Sequence, residues 1–138
     1  KFGYYFHTTA VETATILKQY FGYRRVDVLR DITIDDIKAH LLAGRPVIVP
    51  LAGRLLGNPY YTQPGPIYHM LVIKGFTKDG KFITNDVGTK HGQNYAYDEE
   101  ILYNAIHDAP AGGDGWNVVD IEAYVLTGQK AMIIVYPN

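Results

Sequence analysis

The hydrophobic positions of this chain follow two periods, which predicts helices interleaved with strands. Over residues 10 to 20 the apolar residues recur at helical spacing, and Thr9 with Glu12 three residues later forms a capping box. A second helix is predicted after Thr33, because Asp36 stands at the same spacing and apolar residues again follow at helical intervals. The two capping boxes therefore predict where both helices begin.

Runs that are almost wholly apolar, at 46 to 51 and 70 to 73, are typical of strands covered on both faces of a sheet. Further strands are predicted at 26 to 29, 81 to 86, 93 to 97 and 130 to 136, and further helices at 98 to 107, with Ile101 facing inward, and at 120 to 126. The glycine-rich stretch 111 to 115 is predicted to be a surface turn, since no Lys-Thr or Lys-Ser pair follows it as in a phosphate-binding loop.

Two polar residues stand at the ends of neighbouring predicted strands. The runs 68 to 76 and 81 to 86 are separated by a short turn ending in Gly80, which predicts a hairpin with antiparallel strands. In such a pair the start of the first strand lies beside the end of the second. His69 and Asp86 are therefore expected at the same edge of the sheet.

An imidazole can take a proton from a nucleophile only if its tautomer and orientation are fixed, and a carboxylate bonded to the far ring nitrogen does this. Asp86 is the candidate for that role beside His69. The alternative interpretation is a structural histidine at a strand start and an aspartate that opens a turn. The chain contains no cysteine and no serine, so the usual nucleophiles are absent from these 138 residues.

Composition narrows the possible functions. With 138 residues, 47% hydrophobic and 20% charged, the chain is predicted to form a single domain over 1 to 138. Thirteen basic and fourteen acidic residues give a net charge of -1 without a basic cluster, which argues against nucleic-acid or anionic-membrane binding. No metal or cofactor is predicted, because the other histidines lack the paired spacings of zinc sites; they are His7, His40, His91 and His107.

Three tyrosines are candidates for substrate contact. Tyr60 and Tyr61 lie in a loop rich in glycine and proline that leads to His69, and Tyr68 immediately precedes this histidine. The rings of Tyr60 and Tyr61 offer flat apolar surface for an extended peptide. The alternative is that Tyr60 and Tyr61 pin a long loop to the body of the protein.

The segment 44 to 108 resembles the C39-like peptidase family, above all at 66 to 76 and 83 to 89. The resemblance implies an α+β, papain-like fold with a central, mostly antiparallel sheet flanked by helices. It also implies a Cys-His-Asp triad in which His69 and Asp86 match the family's histidine and aspartate, and a peptide or protein as substrate.

In this family the cysteine lies on a helix near the N-terminus of the domain, whereas residues 2 to 10 here resemble the region that follows that helix. We expect that the N-terminal part has been truncated; a natural pseudoenzyme is the competing explanation. A truncated body would expose apolar surface, so its own missing segment or a second copy is an expected partner. For location, a secreted or cell-envelope bacterial protein is expected.

Three functions follow from the resemblance. The first is a C39-like cysteine peptidase that is inactive as it stands, because the nucleophile is absent from the chain. The second is a non-catalytic C39-like module that binds peptides. The third is transglutaminase-like acyl transfer, which uses the same order of triad residues.

Overall fold

The computed structural model describes residues 8–110 and 120–138, so the glycine-rich stretch 111 to 115 and His7 lie outside the described residues. Helices and strands alternate along the first part of the chain, and three strands then follow one another before the last two helices. In order they are α1 (Ala10–Gln19), β1 (Val26–Arg30), α2 (Ile34–Leu42), β2 (Val47–Leu51), a short 3-10 helix (Gly53–Leu56), β3 (His69–Phe76), β4 (Lys81–Asn85), β5 (Gln93–Asp98), α3 (Glu99–Ala105), α4 (Ile121–Leu126) and β6 (Ala131–Val135).

The described strands form one sheet in the order β1-β6-β2-β3-β4-β5, and every pairing is antiparallel. Alternate side chains of the strands enter different cores. Val49 and Leu71 pack on the face covered by α2 and α3, whereas Ile48 and Ile133 face α1. The β2 and β3 strands are thus central, which explains their nearly continuous apolar sequences.

Both predicted capping boxes are present. The backbone N–H of Thr9 donates to Glu12 Oε2 at 2.8 Å, and the N–H of Glu12 donates back to Thr9 Oγ1 at 3.3 Å. Thr33 and Asp36 exchange the same two bonds at 2.8 and 3.2 Å. These bonds satisfy N–H groups that a helix start leaves without partners, so both helices begin where the sequence predicts.

The third helix differs from its prediction. It ends at Ala105 rather than near residue 107, because Ile106 takes an extended conformation and bridges to Leu51 of β2. The inward orientation predicted for Ile101 was wrong, since this residue is 48% exposed. Leu102 and Ala105 supply the buried face of the helix instead.

Asp108 is a buried carboxylate that joins three separate parts of the fold. Its Oδ1 accepts the backbone N–H of Ala10, the first residue of α1, at 2.8 Å, and lies 3.3 Å from the hydroxyl of Tyr68, whose one proton it shares with Thr8 O. Its Oδ2 lies 3.0 Å from Nη2 of Arg30 on β1. The start of α1 and the residue before His69 therefore depend on one side chain.

Replacing Asp108 should lower stability far more than replacing a surface carboxylate. In Asp108→Ala the N–H of Ala10 and the guanidinium of Arg30 lose their shared partner, and we expect the free energy of unfolding to fall by roughly 2 kcal/mol. The matched control is Asp27→Ala, which removes the exposed pair with Arg25 and should change stability little. Urea unfolding measures both variants, and equal losses would contradict the proposed importance of Asp108.

Candidate active site

The β3–β4 hairpin brings His69 and Asp86 together. Val72 pairs with Asn85, so continuing the register places Asp86 opposite Leu71. Residues two apart on a strand share a face, and His69 therefore projects on the same side as Asp86. Its Nε2 lies 2.7 Å from Asp86 Oδ1.

The carboxylate of Asp86 is buried and accepts four hydrogen bonds. Its Oδ1 accepts from His69 Nε2 and from the backbone N–H of Gly88 at 2.8 Å. Its Oδ2 accepts from the hydroxyls of Tyr61 at 2.5 Å and Tyr97 at 2.6 Å. Each oxygen thus has two donors.

These donors keep Asp86 ionised. Burial by itself would raise the pKa of the carboxyl group, but the bonds from His69, Tyr61, Tyr97 and Gly88 outweigh burial and hold the pKa well below its usual 3.8. Burial, followed by the bond to Asp86, raises the pKa of both tyrosines above the ordinary value. The tyrosines are therefore neutral donors and Asp86 is an anion at physiological pH.

The ionised carboxylate fixes the tautomer of His69. A carboxylate can only accept, so Nε2 must carry the proton that lies between the two groups. Within residues 8–110 and 120–138, no hydrogen bond occupies Nδ1, and the side chain is 11% exposed. In the neutral ring Nδ1 therefore presents a lone pair, as a general base requires.

Two glycines allow the chain after β4 to fold closely around Asp86. The backbone N–H of Asp86 donates to Gly92 O at 2.9 Å, and a Cβ on Gly92 would collide with the carbonyl of Asp86. A Cβ on Gly88 would lie 2.9 Å from Tyr61 Cε1 and 3.1 Å from His69 Cε1. The turn predicted after Asp86 thus has no room for larger residues at these positions.

The three tyrosines considered for substrate contact occupy different environments. Tyr60 is 53% exposed, and its ring centroid lies 4.4 Å from that of His91. Tyr61 and Tyr68 are buried, and the Tyr68 hydroxyl donates to Thr8 O at 3.0 Å. The rings of Tyr61 and Tyr68 are turned inward, because their hydroxyls bond to the buried carboxylates of Asp86 and Asp108, whereas Tyr60 presents its ring to solvent.

Two residues of the site were missed from the sequence. The sequence predicts Tyr97 only as a strand residue, although the alternation along 93 to 97 indicates that it lies on the buried face of β5. Asn58 lies in the loop before Tyr61 and donates from Nδ2 to the Tyr97 hydroxyl at 2.6 Å. No local pattern indicates that bond, because the two residues are 39 positions apart.

Other kinds of site find no support in the described part of the chain. No group of three or more His, Cys, Asp or Glu side chains there could hold a metal ion. The Thr9 hydroxyl is engaged with Glu12 in the helix cap and has no bond to His69. None of the described helices combines the length and apolar character needed to cross a membrane.

Comparison with known proteins places this hairpin in a family. The sequence model of the Peptidase_C39 like family matches residues 3–110, which is most of the chain. The chain belongs to this family. No curated protein shows a significant match to it.

Two solved structures share the fold. A protein from Bacillus anthracis described as a C39-like peptidase superimposes with a TM-score of 0.58 at 14% identity, over 96% of this chain and 62% of that one. A mutant fragment of prointerpain A from Prevotella intermedia gives a TM-score of 0.57 at 19% identity, over 95% and 34%. The predicted α+β, papain-like fold is confirmed, and this chain spans less than two thirds of either structure.

Adding one methyl group at Gly88 should disturb the site, whereas the same change at Gly75 should not. In Gly88→Ala the new Cβ crowds Tyr61, Asp86 and His69, so we expect altered chemical shifts of the His69 ring and a lower unfolding temperature. Gly75 on β3 has open space around its missing Cβ and provides the control. Unchanged His69 signals in Gly88→Ala would show that the turn is looser than the structure indicates.

The contribution of Asp86 to stability should depend on pH in one direction. Because its folded-state pKa is depressed, this contribution is fully present above the unfolded-state value of 3.8 and is lost as the pH falls through the folded-state pKa. Asp86→Asn should therefore destabilise the protein by about 1–3 kcal/mol at neutral pH, and the difference from wild type should narrow below pH 3.8. Denaturant unfolding across this pH range measures the difference in stability between the two proteins. A difference that widens in acid would contradict the lowered pKa assigned to Asp86.

Proposed function

We propose that this chain supplies the general base and the orienting acid of a C39-like cysteine peptidase. The observation that carries the proposal is the bond of 2.7 Å between His69 Nε2 and the buried, ionised carboxylate of Asp86. It leaves Nδ1 as the ring nitrogen that can exchange a proton with a nucleophile.

In the proposed reaction Nδ1 of His69 takes the proton of a cysteine thiol, which gives a thiolate and an imidazolium. The thiolate attacks the peptide carbonyl carbon, and the imidazolium then donates its proton to the departing amine. In the second half His69 deprotonates the water that hydrolyses the thioester, and the thiol leaves reprotonated. Asp86 stays ionised throughout and stabilises each imidazolium state.

The nucleophile of this reaction has to come from outside the 138 residues, because they contain neither cysteine nor serine. The solved C39-like structure from Bacillus anthracis has more than a third of its length beyond the part that this chain covers, which is consistent with a further segment that completes the site. We therefore place the thiol on such a segment and expect the 138-residue chain alone to be inactive. A peptide or protein is the proposed substrate.

A second candidate is a module that binds peptides without cutting them. The lack of any cysteine or serine favours it, and so does the exposed ring of Tyr60 beside His91, which offers apolar surface for an extended chain. The two functions differ in one respect that can be measured. A binding module should hold peptides whether or not His69 is intact.

The test uses a longer form of the protein that carries a cysteine-containing segment before Lys1. His69→Ala should reduce kcat/KM for peptide hydrolysis by about 10³-fold, because the general base is lost. Asp86→Asn should reduce it by about 10²-fold, because the imidazole loses the carboxylate that orients it. Both should also slow alkylation of the thiol near neutral pH, since the thiolate loses its imidazolium partner. His40→Ala, on α2, is the matched control and should leave both rates unchanged.

Hydrolysis that survives both His69→Ala and Asp86→Asn would contradict the proposal. If no longer form hydrolyses peptides, while the 138-residue chain binds them equally well with His69 or Ala at that position, the binding module is the correct function. Isothermal calorimetry with the same peptides distinguishes these results.

A further inference from the structure

We propose that Tyr61 and Tyr97 are positioning residues that set the proton affinity of His69 by sharing the negative charge of Asp86. The proposal deepens the assignment of His69 and Asp86 as base and orienting acid and rests on it. Neither tyrosine needs to touch substrate for this role.

The two oxygens of Asp86 accept hydrogen bonds from different groups. Oδ1 faces His69 and the N–H of Gly88, whereas Oδ2 receives, from the described residues, the two tyrosine hydroxyls at 2.5 and 2.6 Å. Hydrogen bonds to a buried anion withdraw charge from it more strongly than bonds between two neutral groups do. Oδ2 is therefore the oxygen through which the two tyrosines can alter the proton affinity of the His69 ring.

The hydroxyl of Tyr97 is forced to donate to Asp86. The backbone N–H of Tyr60 donates to Asn58 Oδ1 at 2.9 Å, which fixes the amide of Asn58 so that Nδ2 points at Tyr97. An amide nitrogen donates and cannot accept. The Tyr97 hydroxyl therefore accepts from Asn58 and directs its own proton to Asp86.

Tyr61 is held equally firmly, because its buried ring packs edge-on against the ring of His69, with centroids 5.8 Å apart and planes at 78°. The ring of Tyr61 thus contacts His69 directly, while its hydroxyl acts on His69 through Asp86. One residue contacts both members of the catalytic pair.

The charge balance gives the direction of the effect. A carboxylate whose two oxygens both receive hydrogen bonds from other groups attracts the proton of His69 less strongly than a carboxylate with a single hydrogen-bond donor. Tyr61 and Tyr97 therefore weaken the attraction between Asp86 and a protonated His69 ring. Among the described residues, the titratable groups bonded to the pair are these two tyrosines alone, and the remaining donor is the N–H of Gly88.

The experiment is an NMR titration of the His69 ring in the 138-residue chain. Tyr61→Phe and Tyr97→Phe should each raise the pKa of His69, by roughly 0.5 unit for the one hydrogen bond lost. Tyr103→Phe is the matched control: it removes a tyrosine hydroxyl bonded to Ile32 O at 2.9 Å, away from Asp86, and should not change the titration. No change, or a fall, in both test variants would overturn the proposal.

Asp86→Asn separates failure of this proposal from failure of the proposed function. It should lower the pKa of His69, because the anion that favours the imidazolium is gone. If it has no effect, the His69–Asp86 pair itself is wrong; if it lowers the pKa while neither tyrosine variant raises it, only the role of the tyrosines fails. Should a phenylalanine variant not fold, 3-fluorotyrosine at position 61 keeps the ring and strengthens the donor, and it should shift the pKa downward; an upward shift would contradict the proposal.

Discussion

The buried carboxylate of Asp86 is the constraint on which the site depends. An ionised carboxylate out of contact with water is costly unless donors replace its hydration. Here the donors come from β3, from the loop before it, from β5 and from the turn that follows β4. The need to satisfy one anion therefore draws together segments that are distant in sequence. It also explains why the loop carrying Tyr61 turns inward and why glycine follows Asp86 so closely.

The same constraint gives the imidazole its chemical role. Because the carboxylate accepts from Nε2, the lone pair of His69 is confined to Nδ1, and the ring cannot rotate without breaking a buried bond. In the proposed function this lone pair faces a thiol. The chain holds an oriented imidazole but no cysteine, and the proposed function draws the thiol from residues beyond these 138.

Much of this arrangement could be predicted from the sequence where the cause is local. The caps at Thr9 and Thr33, the hairpin turn at Gly80 and the strand periods all follow from neighbouring residues, and the hairpin carries His69 and Asp86 to one edge. What could not be predicted is the polar pairing over long sequence distances. The bond between Asp108 and Ala10 spans 98 positions, and that between Tyr61 and Asp86 spans 25. The hydrophobic pattern along the chain shows which face of a helix or strand is buried, but it does not show which buried polar groups bond to each other.

The most direct test of this account is the tautomer of His69 in the unmodified chain near neutral pH, read from the ¹⁵N chemical shifts of its ring. The account predicts a protonated Nε2 whose proton is shifted downfield by the bond to Asp86, and an unprotonated Nδ1. A neutral ring with its proton on Nδ1, or one that exchanges freely between the two forms, would contradict the central claim that Asp86 fixes this imidazole as a base.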